Sequence, residues 1–291
     1  MNPTVKKLWY SLYEPLMLWR ERKKHGNLRY LAPYHGTYFC PYRISVYCPT
    51  YNRSDILLER ALPSVCKQTY RNFEFIIVDD CSTDDTESKV YAWCLKHNEK
   101  RVRVIKTKSR KKRYPPTRDN HWFAGPVVAA NRGLKECADN TPDTNIKESR
   151  CQIDFIARID DDDIWTEDHL EKLLNFAVKE NAEFVSSGYW VQPAFCRGKI
   201  YHGIEGDEWH GGTSSFFYRS YLKFFRYNID CWRKKWNRVN DLDLCERMRD
   251  AGVRMKFLDE PTFTITPRPG ETEIGSKAYR NGDNVLEKYK F

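Results

Sequence analysis

The stretch RISVYCPTYNRSDILLERALPSVCKQTYRNFEFIIVDD, residues 43–80, holds two apolar runs separated by a segment of helical character. RISVYCPT (43–50) predicts a strand, SDILLERALPSVCKQ (54–68) a helix capped by Ser54, and FEFIIVDD (73–80) a second strand ending in two acids. Strand, helix, strand in that order is the signature of an α/β domain with a largely parallel sheet.

The alternation continues downstream. CSTDDTESKVYAWCLKHN (81–98) predicts a helix capped by Ser82 or Thr83, VRVIK (102–106) a third strand, and GPVVAANRGLKECA (125–138) a further helix. Asp139 to Gln152 is polar and contains a proline, which predicts a surface loop. IDFIARID (153–160) then runs as a strand into four consecutive aspartates. A helix follows with Thr166 as N-cap, and Trp165 and Leu170 form a hydrophobic staple about it. EFVSSGYWV (183–191) and VRMKFLDEPTFTI (253–265) are strand-like, and NDLDLCERMRDAG (240–252) is helical. The expected organisation is an extension over residues 1–40, a main domain over 41–265 and a tail over 266–291.

Composition narrows the class. With 291 residues, 41% hydrophobic and 31% charged, the chain can bury a substantial core, and it contains no apolar run long enough for a spanning helix. The first 24 residues lack the unbroken apolar core and small-residue cleavage site of a signal peptide. The ten cysteines include no CxxC pair, which points to buried reduced thiols and a cytoplasmic setting. In the extension, Trp9, Leu12, Tyr13, Leu16, Met17 and Trp19 recur at helical spacing before Arg20, Arg22, Lys23 and Lys24. This pattern suits either a helix packed on the domain or a peripheral contact with the inner surface of a membrane, in keeping with the formal charge of +9. A second basic run, residues 96–118, holds Glu99 as its single acid; it is a solvated loop or a phosphate-attracting one.

The aspartates carry the chemistry. If the strand stays extended through FIARIDDDDIWTEDHL (155–170), Asp160 and Asp162 point one way and Asp161 the other. Two same-face carboxylates at a strand end form half a site for a hard divalent cation, Mg²⁺ or Mn²⁺, with positions left for phosphate oxygens. The acids at 79–80 and the segment CPTYNR (48–53) end their strands at the same edge, where open α/β sheets bind ligands.

ISVYCPTYNR, QTYRNFEFIIVDDCSTDDT, GPVVAANRGL, ARIDDDDIWTEDHL and NDLDLCERMRDAG, in this order over about residues 43–265, resemble the family 2 glycosyltransferases of the GT-A fold. That resemblance implies a nucleotide-binding, mostly parallel sheet flanked by helices, and inverting transfer of a sugar from a nucleotide-sugar donor, UDP-sugar favoured, to a hydroxyl of a glycan or lipid-linked acceptor. It places Pro49 and Tyr51 against the base and Asp80 at a uracil-like imide. Asp160 falls near the ribose or ion, Asp161 among the nucleotide-sugar contacts, Asp162 as direct ligand of Mn²⁺ or Mg²⁺, and Asp241 as general base. The chain departs from the family in four places. Ala130 precedes Asn131 where an Arg is common, Arg268 stands where a His is frequent, the basic insertion is longer, and Asn240 replaces a Glu. An Arg cannot ligate a metal but can hold diphosphate oxygens.

The bland readings are an Asp80 that caps the next helix, and Asp241 and Asp243 that complement a helix dipole. Asp243, about 200° around the helix from Asp241, is expected to tolerate loss of its charge. Two other functional classes remain open: a nucleotide-sugar or glycan-binding protein without turnover, and a nucleic-acid binder built on the 96–118 run with Tyr114, His121 and Trp122. The second leaves the acidic crevice unexplained.

Overall fold

The computed structural model describes residues 3–31, 42–108, 114, 122–139, 154–191, 200–201, 212–231 and 239–269. The expectations for 140–152, for residues 109–113 and 115–118 of the basic run and for His121 lie outside them.

The described strands form one sheet. β1 (Ile44–Thr50), β2 (Phe73–Asp79), β3 (Val102–Lys106) and β4 (Phe155–Arg158) are parallel in the order β3-β2-β1-β4. The sheet continues through β8 (Phe217–Arg219), β6 (Phe184–Val191), β9 (Met255–Ile265) and β5 (Asp163–Trp165), with β7 (Ile200–Tyr201) paired to β6. β8 runs antiparallel to both β4 and β6, β6 and β9 are parallel, and β5 is antiparallel to β9. The fold is α/β, parallel in its first half and mixed in its second.

The continuous apolar character of β1 and β2 follows from burial on both faces. Val46, Cys48, Phe75 and Ile77 pack on one side with Leu57, Leu62, Val65 and Val90, whereas Tyr47, Ile76 and Val78 pack on the other with Val127, Ala130, Leu134 and Leu244. The first layer comprises α2 (Ser54–Glu59), α3 (Ala61–Cys66), α4 (Thr86–Lys96) and α6 (His169–Lys179). The second holds α5 (Val127–Asp139) and α7 (Asn240–Asp250). β3, at the edge, carries Arg103 and Lys106, charges that discourage pairing with another strand.

Several helix boundaries differ from expectation, each for a visible reason. The segment 54–66 is two short helices rather than one, because Pro63 has no N–H to offer the Glu59 carbonyl and the backbone turns at Arg60 (φ −116°, ψ −82°). Ser54 opens α2 but does not cap it: its own N–H donates to Asp84 Oδ2 at 3.1 Å. α4 starts at Thr86, later than Ser82 or Thr83 would set it. Those two residues instead bind the β1 loop, with Asn52 N donating to Ser82 Oγ (2.9 Å) and Thr83 N to Asn52 Oδ1 (2.7 Å). α6 begins at His169 after Asp168, not after Thr166, whose hydroxyl donates to Asp168 Oδ1 at 2.7 Å.

The N-terminal segment forms α1 (Pro3–Leu31), whose C-terminal third packs on α7. Arg22 Nε and Nη2 donate to the Asp250 carbonyl at 3.0 and 2.7 Å, neutralising the carbonyl end of that helix. His25 is buried, with Nδ1 3.1 Å from the Ala251 carbonyl and Nε2 3.0 Å from Glu183 Oε1. Burial pushes the Glu183 carboxyl up, but hydrogen bonds from His25, Tyr221 and the Arg254 N–H outweigh it and hold it down to about 2. Its ionised form is therefore stabilising above the ordinary range of a free carboxyl and is lost only as pH falls through about 2.

α5 approaches the sheet most closely at Gly133, where an added Cβ would lie 2.7 Å from Tyr47 Cδ2. The Gly133→Ala variant is expected to lose about 1–3 kcal/mol in urea unfolding despite alanine's better helix propensity, because the fully buried Tyr47 ring has nowhere to move. Unchanged stability would show that β1 and α5 separate at little cost.

Candidate functional site

Parallel pairing aligns the C-terminal ends of β1, β2 and β3. Asp80 N donates to the Thr50 carbonyl and Thr107 N to the Asp79 carbonyl, both at 2.9 Å. Pro49 is buried within β1 opposite Val78, and Tyr51 follows, half-buried, in the loop that Ser82 and Thr83 hold.

Asp80 is not a helix cap. Its carboxylate is buried and accepts from Thr107 Oγ1 at 2.8 Å and from the Tyr114 hydroxyl at 2.9 Å. The neighbouring Asp79 takes the local turn role, accepting from Ser82 N at 2.8 Å. A carboxylate has about four lone-pair positions, so acceptor capacity remains on Asp80. Tyr114 comes from the basic run read above as a nucleic-acid candidate. Its ring is buried, and its hydroxyl also accepts from Val128 N at 3.2 Å, joining β2 to the first turn of α5.

Three of the four aspartates are not strand residues. β4 stops at Arg158, and Asp160 to Asp162 lie in a turn that Asp163 N closes by donating to the Asp160 carbonyl at 3.3 Å, with Asp163 the first residue of β5. The alternation expected of an extended strand arises instead from this turn: the carboxylates of Asp160 and Asp162 are 28% and 23% exposed, whereas Asp161 and Asp163 are buried.

Each carboxylate has its own partners. Asp160 Oδ1 takes two hydrogen bonds from Arg158 (2.8 and 3.1 Å), and Oδ2 takes one from Thr213 Oγ1 (2.6 Å). Asp161 accepts from Thr50 Oγ1 at 2.8 Å and Arg53 Nη1 at 2.9 Å, so its side chain fixes the β1 loop from beneath. Asp162 Oδ2 lies 3.5 Å from Arg53 Nη1 and 3.7 Å from Arg268 Nε. Asp163 accepts from Ser214 Oγ; burial, followed by the charges of Asp162 and Asp160, pushes its carboxyl well above the usual range. Burial likewise raises Asp161, against the pull of Arg53. In the two buried acids the fold thus favours the neutral form, against the pull of Arg53 on Asp161.

Arg60, in the break between α2 and α3, is buried and donates to three carbonyls: Asp162 (3.1 Å), Thr266 (2.9 Å) and Pro267 (2.9 Å). This clamp joins the aspartate turn to the segment after β9 and so brings Arg268 beside Asp162. Arg158, fully buried, lies with its guanidinium carbon 4.9 Å from the Tyr227 ring centroid. Asn131 holds Tyr227 through both backbone and amide: Nδ2 donates to the Tyr227 carbonyl (2.8 Å) and Oδ1 accepts from Tyr227 N (2.9 Å).

Asp241 lies on α7, a separate element, partly exposed, with Oδ1 accepting from Leu242 N at 2.8 Å. The N-terminus of α7 is tied to the same end of the sheet by Asn240, whose amide donates to the carbonyls of Phe123 and Gly125, both at 2.9 Å, just before α5. A Glu here could not donate, which accounts for the Asn. Asp243 differs from expectation: it is fully buried and pairs with Arg247 Nε at 2.8 Å, and Arg247 also bonds Glu21 of α1.

As a cation site, the turn offers hard oxygens from two part-exposed carboxylates, Asp160 and Asp162. Among the described residues no cluster of three or more ligating side chains forms. Hard carboxylate oxygens of this kind fit Mg²⁺ or Mn²⁺, which Asp160 and Asp162 would hold from one side.

The ends of parallel strands, an acidic turn and arginines beside it come together at the edge where open α/β sheets bind ligands. The comparisons give the family. The profile of Glycosyl transferase family 2 matches residues 45–114 and 143–239, more than half of the chain, and the chain belongs to that family. It is 28% identical over 150 residues to the UDP-Glc:α-D-GlcNAc-diphosphoundecaprenol β-1,3-glucosyltransferase of Escherichia coli, covering 52% of this chain and 47% of that one. It is 30% identical over 146 residues to a putative teichuronic acid biosynthesis glycosyltransferase of Bacillus subtilis, covering 50% and 46%. The chain thus spans about half the length of these curated relatives. Among solved structures, S. aureus TarS 1-349 in complex with UDP-GlcNAc superposes with a TM-score of 0.55 at 19% identity, over 79% of this chain and 60% of that one. Mannosyltransferase PcManGT from Pyrobaculum calidifontis, in complex with GDP-Man and Mn²⁺, gives 0.54 at 17% identity, over 92% and 68%. The fold is that of the GT-A glycosyltransferases.

Sequence reasoning missed Arg53, Arg60, Arg158 and Thr107, and gave Tyr114 a different role. Arg158, next to IDDDD, and Arg53, ending PTYNR, were inside quoted motifs; Arg53 was hidden by a partner 108 residues away, and Arg158 by its burial against the distant Tyr227. Removing the charge of Asp243 (Asp243→Asn) is expected to lower the unfolding free energy by about 2–4 kcal/mol in denaturant titration, since it breaks a fully buried ion pair. A variant as stable as the parent would return Asp243 to the tolerant position first read from its helix angle.

Proposed function

We propose that this protein transfers a sugar, with inversion, from a nucleotide-sugar donor, UDP-sugar favoured, to a hydroxyl of a glycan or lipid-linked acceptor, with Mn²⁺ or Mg²⁺ bound beside the donor. The observation that carries the proposal is the aspartate turn, which presents Asp160 beside Arg158, and Asp162 beside Arg53 and Arg268, near the strand ends that also carry Tyr51 and Asp80. A UDP-sugar and a diphosphoundecaprenol acceptor appear in the name of the E. coli relative, and polysaccharide synthesis in that of the B. subtilis one.

In this reading Pro49 and Tyr51 line the base and the spare acceptor capacity of Asp80 receives an imide N–H. Asp160 and Asp162 hold the cation, whose contribution when bound is to stabilise negative charge on the leaving diphosphate. Arg268 and Arg53 turn from Asp162 toward diphosphate oxygens, exchanging one anionic partner for another. Asp161 keeps the β1 loop in place from below. Asp241 accepts the proton of the attacking hydroxyl on the face opposite the diphosphate, so a single displacement inverts the anomeric centre without an enzyme nucleophile.

The test is a screen of UDP, GDP and dTDP sugars, with and without Mn²⁺, read as released nucleotide and as glycosylated acceptor. Binding of a donor with no turnover on any acceptor would favour a non-catalytic binding protein. Asp162→Asn is expected to abolish the Mn²⁺-dependent part of nucleotide affinity, and isothermal titration that finds it intact would remove Asp162 from the cation site. Asp80→Ala should erase discrimination between UDP and other nucleotides in the same titration, with a separate thermal melt to read stability; lost stability with nucleotide preference unchanged would give Asp80 a structural role. Asp241→Asn should lower the transfer rate on the order of 10²- to 10⁴-fold with donor affinity near that of the parent, and normal turnover would exclude it as base.

A further inference from the structure

α1 has two faces with different partners. Glu21, Arg22, His25 and Arg29 engage Arg247, the carbonyls ending α7, and Glu183, as described for the fold, while Lys24 Nζ lies 4.9 Å from the Phe224 ring centroid. The opposite face holds Leu8, Trp9, Leu12, Leu16 and Trp19, which are 66%, 55%, 73%, 43% and 57% exposed. At about 100° per residue these five fall within an arc of about 100°, centred across the helix from Glu21 and His25. A continuous apolar stripe on an outward face is unusual on a soluble surface.

Charge decides what covers it. The helix carries Lys6, Lys7, Arg20, Arg22, Lys23, Lys24 and Arg29 against Glu14 and Glu21, and Glu21 is matched by Arg247. Arg20 and Lys23 are exposed beside the stripe, with Lys23 Nζ 5.3 Å from the Trp19 ring centroid. Two copies of such a helix would bring like charges together, whereas an anionic lipid surface matches them. Tryptophans at either end of the stripe suit the headgroup region, where an apolar ring with a polar N–H is favoured and long basic side chains reach phosphate. No helix among the described residues is long and apolar enough to cross a membrane, so contact along the surface is the geometry available.

We propose that α1 is a membrane-surface helix: its C-terminal third is latched to α7 and its outer stripe lies in the interface of an anionic bilayer. The latch matters because α7 also carries Asp241 at its other end. A surface helix joined to the end of α7 by Glu21, Arg22 and His25 and to Glu183 by His25 and Arg29, rather than by a flexible tether, holds the domain in one orientation on the bilayer. This inference does not depend on sugar transfer and is tested without a donor.

The experiment is flotation of the full chain with phosphatidylcholine vesicles, with and without phosphatidylglycerol. Binding is expected with the anionic vesicles, weakening as salt rises. Leu12→Glu and Trp19→Glu should each lower partitioning by about 10-fold or more, because a side chain that buries in the interface becomes a carboxylate. Their melting temperatures should match the parent, since both side chains are more than half exposed. Absence of flotation with anionic vesicles, or equal flotation of both variants, would overturn the proposal. So would a dimer in sedimentation velocity that Leu12→Glu dissolves without any vesicle binding, which would make a second copy the occupant.

Discussion

Consecutive carboxylates in one turn repel, and the site depends on how the fold meets that repulsion. Guanidinium groups arrive from different elements: Arg158 from the end of β4, Arg53 from the loop after β1, Arg60 from the break between two helices and Arg268 from the segment after β9. Two of the four acids are withdrawn into the protein, and burial favours their neutral form. The remaining two face outward with arginines beside them. A buried charge of this kind is tolerable only when matched, so the positions of the arginines and of the aspartates constrain each other.

That mutual constraint reaches well beyond the turn. Arg158 requires the ring of Tyr227 beneath it, and Tyr227 is held by Asn131 on α5. The start of α5 binds Tyr114, which binds Asp80. The carbonyls just before α5 receive the Asn240 amide, which sets the beginning of α7. The far end of α7 receives α1. The departures of this chain from its family also find places here: Ala130 is buried on α5 against the sheet, and Arg268 supplies a cation beside Asp162 where a histidine is frequent.

Much of the first half of the fold was legible from local pattern. β1, β2 and β3 lie where apolar runs end in polar residues, and α5 and α7 lie where helical spacing put them, the latter closing at Gly252 in the left-handed region (φ 84°). The caps were less legible, because the side chains that satisfy helix starts come from neighbouring loops, as Asp84 does for Ser54. β8 was hidden for a related reason: a three-residue strand between β4 and β6 is defined by its neighbours, and FFYR within WHGGTSSFFYRSYL has no period of its own.

The sequence by itself determined the class of the fold, the strand ends that form the nucleotide edge and the residue types gathered there, since these follow from hydrophobic period and from chemistry carried within single motifs. It also determined that the N-terminal segment is a basic helix with an aromatic stripe. Tertiary structure decided which aspartates face outward, that Asp80 meets Thr107 and Tyr114 instead of capping a helix, that Asp243 is buried and Asp241 is not, and that α1 is docked along only part of its length. Those outcomes rest on burial and, for Asp161 and Asp80, on partners tens of residues away or more, and neither can be read from a window of sequence.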